Sequence, residues 1–292
     1  MPRSALAESI PFRSLPSLKD AEFARAKQWV LYRGDSLALM ESFEPHTFDV
    51  VFADPPYFLS NGGFTCQGGK RVKVDKGGWD ASQGVEEDHA FTKSWLKACQ
   101  RVLKPTGTLW VSGTQHVIFS VGFAMQQLGM KLLNTVTWFK PNASPNLACR
   151  YFTHSTEILL WASPTTGKGP LKHTFNYQAM KQENGGKQMR DAWALPPTGD
   201  AELSDDGHGR LWSELTPRNG EKTHGRHPTQ KPVRLLERII EASAPEDALV
   251  LDPFCGSGTT GVAALRKGCR FVGLDMNPEY LALTKRRLAD PG

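Results

Sequence analysis

Leu249-Val250-Leu251-Asp252-Pro253-Phe254-Cys255-Gly256-Ser257-Gly258-Thr259-Thr260 is the stretch that decides how this chain folds. Ala248–Leu251 is a short apolar run that reads as a buried strand, the glycines mark a tight turn, and Thr259–Lys267 reads as the helix that follows. Glycine at such a turn lets the backbone pass close to a ligand and adopt conformations closed to other residues. A second strand, Arg270–Leu274, ends at Asp275, about 20 residues beyond Gly256. That is the interval at which a nucleotide-binding βαβ unit places the acid that accepts from ribose hydroxyls.

The class of ligand follows from what the turn lacks. It reads G-S-G-T-T, not G-x-G-x-x-G, and no G-K-[ST] ends it, so neither a dinucleotide nor a nucleoside triphosphate is expected. Asp252, just upstream, would repel a pyrophosphate but suits a cation. S-adenosylmethionine carries an ammonium and a sulfonium and no phosphate. The expected contacts to this donor are Asp252, Phe254, Gly256, Ser257, Gly258, Thr259, Thr260 and Asp275.

Outward from this unit, strands and helices alternate. Gln28–Arg33 and Phe48–Ala53 read as strands around a short helix at Ser36–Ser42. A helix over His89–Leu103 is stopped by Pro105 and Gly107, and Thr108–Ser112 is the next strand. Val117–Leu128 reads as a helix, Lys131–Trp138 and Ser155–Ala162 as strands, Pro232–Ala244 and Glu279–Leu288 as helices. The alternation predicts an α/β fold, a mostly parallel twisted sheet with helices on both faces. Residues 1–28 read as a peripheral arm, 29–162 as a catalytic half, and 227–292 as a cofactor-binding half. Residues 163–226, rich in Gly, Pro and polar groups and without a sustained period, read as an insertion with little regular structure.

Asp54-Pro55-Pro56-Tyr57 closes the strand Phe48–Ala53. Two prolines end strand pairing and fix the backbone. Asp54 thereby stands at the carboxyl end of a buried strand, where open α/β sheets place their ligands. A carboxylate there can hold a proton of a weakly nucleophilic exocyclic amine, and its interaction strengthens as the nitrogen becomes positive in the transition state. Tyr57 offers a ring on which an unstacked base can lie. Phe58–Asp88, with three Gly-Gly pairs and a basic centre at Lys70 and Arg71, reads as a substrate-facing loop.

Composition agrees without deciding. The chain has 292 residues and a net charge of +5, which suits a polyanion. Its five cysteines form no C-x-x-C pair, and its histidines are not spaced for metal, so neither a disulfide framework nor a metal site is expected. No signal peptide and no long apolar run are evident, so the expectation is a cytoplasmic protein with no membrane span.

With both elements placed, the chain resembles the β-class of bacterial DNA amino-methyltransferases. That family carries D-P-P-Y early and F-x-G-S-G-T-T late, a circularly permuted order of a Rossmann-like, S-adenosylmethionine-dependent methyltransferase fold. Here the two motifs are Asp54–Tyr57 and Phe254–Thr260. Gly34-Asp35 resembles the family's adenine-contacting Gly-Asp. His227-Pro228-Thr229-Gln230-Lys231-Pro232 resembles a motif implied to help bind the methionine part of the donor. Trp138 to Glu157, with Asn142, Asn146, Arg150 and His154, resembles the segment that shapes the target-base pocket. Residues 163–226 fall where the family keeps its target-recognition region, and Arg218 and Arg226 there are expected on DNA phosphates.

More narrowly, Phe52–Gly63, Val74–Asp80 and Arg150–Thr156 resemble the second adenine methyltransferases of DpnII-like GATC restriction–modification systems. The resemblance implies N6-adenine methylation of duplex and single-stranded DNA, a cognate restriction endonuclease system, and homodimers as a family habit. N4-cytosine methylation is the nearest alternative, and Asp54 in place of serine leans against it. A catalytically dead scaffold that only binds DNA is a further alternative, disfavoured by the intact Asp54 and Gly256-Ser257-Gly258.

Overall fold

The computed structural model describes residues 17–59, 64–67, 70–73, 80–140, 143, 145–165, 170–193, 225 and 229–291. The strands are β1 (Glu22–Arg25), β2 (Trp29–Arg33), β3 (Phe48–Ala53), β4 (Phe64–Gln67), β5 (Lys70–Lys73), β6 (Leu103–Gly113), β7 (Lys131–Phe139), β8 (Thr156–Ser163), β9 (Ala192–Trp193), β10 (Leu249–Asp252) and β11 (Arg270–Asp275). The helices are α1 (Ser17–Ala21), α2 (Ser36–Glu41), α3 (Val85–Val102), α4 (Ile118–Gln127), α5 (Tyr177–Glu183), α6 (Val233–Ser243), α7 (Thr259–Arg266) and α8 (Pro278–Ala289). None of the described helices is long and apolar enough to cross a membrane.

Nine strands form one sheet in the order β1-β2-β11-β10-β3-β6-β8-β7-β9, and β4 and β5 pair as a separate antiparallel hairpin. The run β2-β11-β10-β3-β6 is parallel throughout. β8 lies antiparallel between β6 and β7. β3 and β10 are direct neighbours, with Val50 opposite Val250, although about 200 residues separate them.

Strand side chains alternate between two buried layers, as the period of two requires. Tyr32, Ala53, Leu109, Val111, Leu251 and Val272 face a core with α2, α3 and α4, which contribute Met40, Trp95, Leu96 and Val121. Leu31, Phe52, Trp110, Val250 and Phe271 face the opposite core with α6, α7 and α8, which contribute Leu236, Ile240, Ala263 and Leu281. Strands buried on both faces read as near-continuous apolar runs, and β3 is buried at every position.

Several elements differ from the sequence reading. Part of the segment read as an arm forms α1 and the edge strand β1, which pairs antiparallel with β2. α3 starts at Val85, four residues before the expected His89. Glu86, Glu87 and Asp88 fill its first turn, where negative charge offsets the helix dipole. Within 163–226 the described part holds α5 and β9. Trp193 is buried there against Trp110, and Asn176 donates from Nδ2 to the carbonyls of Glu241 and Ala244 at the end of α6. That segment is thus tied to the sheet by long-range contacts that its local composition does not show.

Candidate active site

Four neighbouring parallel strands end at acids. Asp35 follows β2, Asp275 ends β11, Asp252 ends β10 and Asp54 follows β3. Because the strands run the same way, these carboxylates stand in a row along the carboxyl edge of the sheet. β8 runs oppositely, so its first residues reach the same edge and bring Glu157 into the row. A cavity of about 750 Å³ opens there. Asp35, Asp54, Pro56, Lys231, Asp252, Phe254, Gly256, Ser257, Thr259, Thr260 and Asp275 all line it. The Asp-Pro-Pro-Tyr turn and the glycine turn therefore meet at one cleft, as their separate readings required.

The glycine turn is fixed from several sides. Gly256 and Gly258 have φ of 48° and 74°, in the left-handed region that glycine occupies without strain. A Cβ at Gly258 would also collide with the side chain of Thr284 on α8. Thr284 Oγ1 donates to the Gly256 carbonyl at 2.8 Å, and buried Arg287 donates to that of Ser257 at 2.6 Å. Asp275 accepts from the backbone N–H of Gly256 at 2.9 Å and of Asn277 at 2.8 Å. Each carboxylate oxygen has a second lone pair, so Asp275 keeps acceptor capacity toward the cavity.

Asp252 is 3 % exposed and accepts from Thr260 Oγ1 at 2.6 Å and the Phe254 N–H at 3.0 Å. Burial pushes its carboxyl up to about 7, against the pull of those two hydrogen bonds. Burial likewise raises Asp275. Among the described lining residues Lys231 is the only cation beside Asp35, Asp54, Asp252, Asp275 and Glu279. The chemistry of this lining fits a ligand that brings positive charge of its own.

At the other end of the cleft Lys231 Nζ donates to both oxygens of Asp54, at 2.9 and 2.8 Å, and to Tyr57 Oη at 3.2 Å. It also lies 3.4 Å from Glu157 Oε2. Burial alone would lower the Lys231 ammonium, but Asp54 and Glu157 hold it well above the usual lysine range. Burial would raise Glu157, and the ammonium groups of Lys231 and Lys140 more than reverse it, holding that carboxyl at about 2. Tyr57 Oη donates to Asp54 Oδ1 at 2.6 Å and lies 3.0 Å from Ser112 Oγ. Burial first, then the Asp54 carboxylate, pushes the phenol well above its usual value.

Beyond the prolines, which have no N–H, the next three backbone N–H groups converge on one residue. Tyr57, Phe58 and Leu59 donate to the fully buried carboxylate of Asp80 at 2.8, 2.9 and 3.1 Å. This clamp fixes the chain just beyond the prolines, where Phe58 has a φ of 55°.

Two placements differ from the sequence reading. Tyr57 is 8 % exposed, with Lys231 Nζ 5.3 Å over its ring, so the ring is a buried brace for Asp54 and not an open platform. Lys231, assigned to the donor, lines the cavity but spends its hydrogen bonds on Asp54 and Tyr57. Of the residues expected on DNA, Asn146, Arg150 and His154 lie on the loop between β7 and β8, outside the cavity lining. Asn142, Arg218 and Arg226 fall outside the described residues, as do the side chains of Lys70 and Arg71 on β5. Ser112, Lys140, Thr284 and Arg287 also carry the site's geometry and have no part in the sequence reading, and Asp80 and Glu157, which close two of the resembling stretches, have no individual role in it. They act through contacts between distant segments, which no local pattern marks.

A DNA methylase model of the N6/N4 type matches residues 48–286. The chain is 50 % identical over 259 residues to the type II methyltransferase M2.LlaDCHI of Lactococcus lactis subsp. cremoris, covering 89 % of this chain and 88 % of that one. It is 48 % identical to M2.DpnII of Streptococcus pneumoniae, covering 89 % of each. It is 42 % identical to M2.MboI of Moraxella bovis over 261 residues, covering 89 % and 88 %. Among solved structures, the PvuII cytosine-N4-specific DNA methyltransferase superposes with a TM-score of 0.67 at 20 % identity, over 90 % of this chain and 87 % of that one. M1.HpyAVI, in complex with S-adenosylmethionine, superposes at 0.55 and 21 % identity, over 89 % and 99 %. The two solved structures bear on the fold alone, whereas the span of the family model and the identity to the type II enzymes reach further, and by both this chain belongs to the DNA methylase family.

Proposed function

We propose that this enzyme transfers a methyl group from S-adenosylmethionine to N6 of adenine at a specific DNA site, with GATC as that site. The observation that carries the reading is that Asp54 and the glycine turn line one cavity. The identity to M2.DpnII and M2.MboI supports the site, because the resemblance to DpnII-like systems implies GATC.

When bound, S-adenosylmethionine supplies a methyl group on a positively charged sulfur. Asp252, Asp275 and Asp35 provide the negative wall that this charge requires, and the left-handed glycines let the backbone come close. Asp54 accepts an N–H of the target amine. Its Oδ1 already accepts from both Lys231 and Tyr57, whereas Oδ2 accepts from Lys231 alone and keeps a lone pair for the amine. Lys231 braces the carboxylate, and Glu157, itself paired with Lys140, holds Lys231 in turn. As the amine nitrogen gains positive charge, the fixed Asp54 carboxylate gains interaction energy, which is what lowers the barrier.

A base in a duplex must be extruded to reach Asp54, at a cost of a few kcal/mol. Asn146, Arg150 and His154 on the β7–β8 loop, with Lys70, Arg71, Asn142, Arg218 and Arg226, are proposed to meet the DNA around that base. Residues 163–226 are proposed as the recognition region, 29–162 and 227–292 as the two halves of the catalytic domain. A cytoplasmic location, a homodimer and a cognate restriction endonuclease are the remaining elements of the proposal.

Incubation with tritiated donor and DNA, digestion to nucleosides and sequencing of modified bases in an expressing host test base and site together. N6-methyladenine confined to GATC is expected. Label found in N4-methylcytosine, or no label in DNA, would overturn it.

A further inference from the structure

Phe152 is 96 % exposed, and Tyr151 and Leu147 beside it are 61 % and 49 % exposed. An apolar cluster standing in water at a loop tip marks an interaction surface. The loop that carries it is built, not loose. Asn146 Oδ1 accepts from the Ala148 N–H at 3.0 Å while its Nδ2 donates to the Tyr151 carbonyl at 2.6 Å. The Tyr151 ring lies 5.3 Å from that of His154, and His154 contacts Gln115, beyond the end of β6, at 3.2 Å. These contacts hold Tyr151 and His154 against the body of the protein and leave the Phe152 ring projecting alone.

Its surroundings name the partner. Arg150 lies two residues before it on the same exposed loop, a cation suited to phosphates. Glu157, five residues on, contacts the lysine that grips Asp54. Five residues span at most about 18 Å, so Phe152 lies within that reach of Glu157 at the start of β8, on the active-site edge of the sheet.

From this we infer that Phe152 is a wedge that enters the DNA base stack and fills the gap left by the extruded base. Apolar side chains inserted between base steps unstack and hold open a duplex, and an aromatic ring stacks on any base without reading its identity. The inference rests on the proposed reading that the substrate is a base extruded from duplex DNA. It adds the residue that makes extrusion last.

The test uses the full-length enzyme, the F152A and F152W variants, and two duplexes of one sequence. In one the target base is paired, and in the other it lies opposite an abasic site, where leaving the stack costs less. Single-turnover transfer from tritiated donor is read on both. F152A is expected to slow the paired duplex roughly tenfold or more and the abasic duplex less than about twofold, the scale set by base–aromatic stacking. F152W is expected to restore the paired rate. Activity on the abasic duplex shows that the variant is folded. Equal loss on both duplexes, or no loss on the paired one, overturns the wedge and leaves the methyltransferase reading standing. So does an F152A variant that transfers normally but no longer self-associates, because Phe152 would then cover a second copy of the chain. Wild-type enzyme that labels neither duplex removes the underlying reading, and the wedge with it.

Discussion

Lys231 and Asp54 form a two-pronged ion pair, one ammonium nitrogen at 2.9 and 2.8 Å from the two oxygens of one carboxylate, across 177 residues of sequence. The pair joins the segment that precedes α6 to the turn that ends β3, so each element fixes the other's reactive group. Breaking it has two separable effects. Asp54→Ala is expected to retain donor binding and to abolish methyl transfer. It also leaves a buried ammonium with fewer partners, so a stability loss of roughly 3–5 kcal/mol is expected in a melting experiment. Lys231→Met is expected to lower the single-turnover rate about 10²–10³-fold, the scale for losing one aligned electrostatic partner. Full activity in either variant would contradict the roles assigned.

Asp252 gives donor binding a pH dependence of predictable sign. Its folded-state value of about 7 lies above the ordinary 3.8. The folded protein therefore holds this proton more tightly than the unfolded chain, a stabilisation complete below about pH 4 and lost as pH rises through 7. A cation bound beside Asp252 favours the ionised form. Binding between pH 5 and 7 should release a proton, and affinity should rise with pH to about 7 and then level. Calorimetry in two buffers of different ionisation enthalpy counts that proton. Asp252→Asn should flatten the profile, and the neutral thioether product of the donor should show a weaker dependence.

Gly258 is constrained twice, by its left-handed backbone and by Thr284 packed where a side chain would begin. Gly258→Ala is expected to cost roughly 1–3 kcal/mol of stability from backbone strain alone. Donor affinity should fall further, because the turn must move to relieve the collision. Adding Thr284→Ala should recover part of the stability and less of the affinity. A double-mutant cycle reads both.

Asp80 predicts the reverse pattern. It gathers three N–H groups just beyond the prolines and does not line the cavity. Asp80→Asn keeps the shape but replaces a charged acceptor by a neutral one. Transfer rate should fall at least about tenfold, as each charge-assisted bond is worth roughly 1.5–3 kcal/mol. The donor dissociation constant should stay within a few-fold. Equal loss of both would place Asp80 in general stability and not in aiming Asp54.

Much of this was legible in the chain. The strand read at 248–251, its glycine turn and the acid at 275 are legible because the chemistry of a nucleotide cradle is local, and Asp54-Pro55-Pro56-Tyr57 because prolines punctuate. The direction of β8 was not legible, since alternation of apolar residues is the same whichever way a strand runs. That direction carries Glu157 to the active edge. Asp80 lies in a glycine-rich stretch where nothing marks a carboxylate as buried, and its role appears only when three N–H groups converge on it. Tyr57 was legible as important but not in its pose. An aromatic ring beside a carboxylate reads as a base platform, and only packing shows its hydroxyl turned inward to Asp54 and Ser112.

The adjacency of β3 and β10, which the Asp49 side chain reinforces by accepting from the Leu249 N–H at 2.9 Å, has a consequence for biosynthesis. The seam between them joins two strands that leave the ribosome about 200 residues apart. Contacts so far apart in sequence form late and slowly. A nascent or prematurely terminated chain holds the reactive carboxylate without the half that grips the donor. Neither half holds both groups, so the cleft is assembled only once β10 has paired with β3.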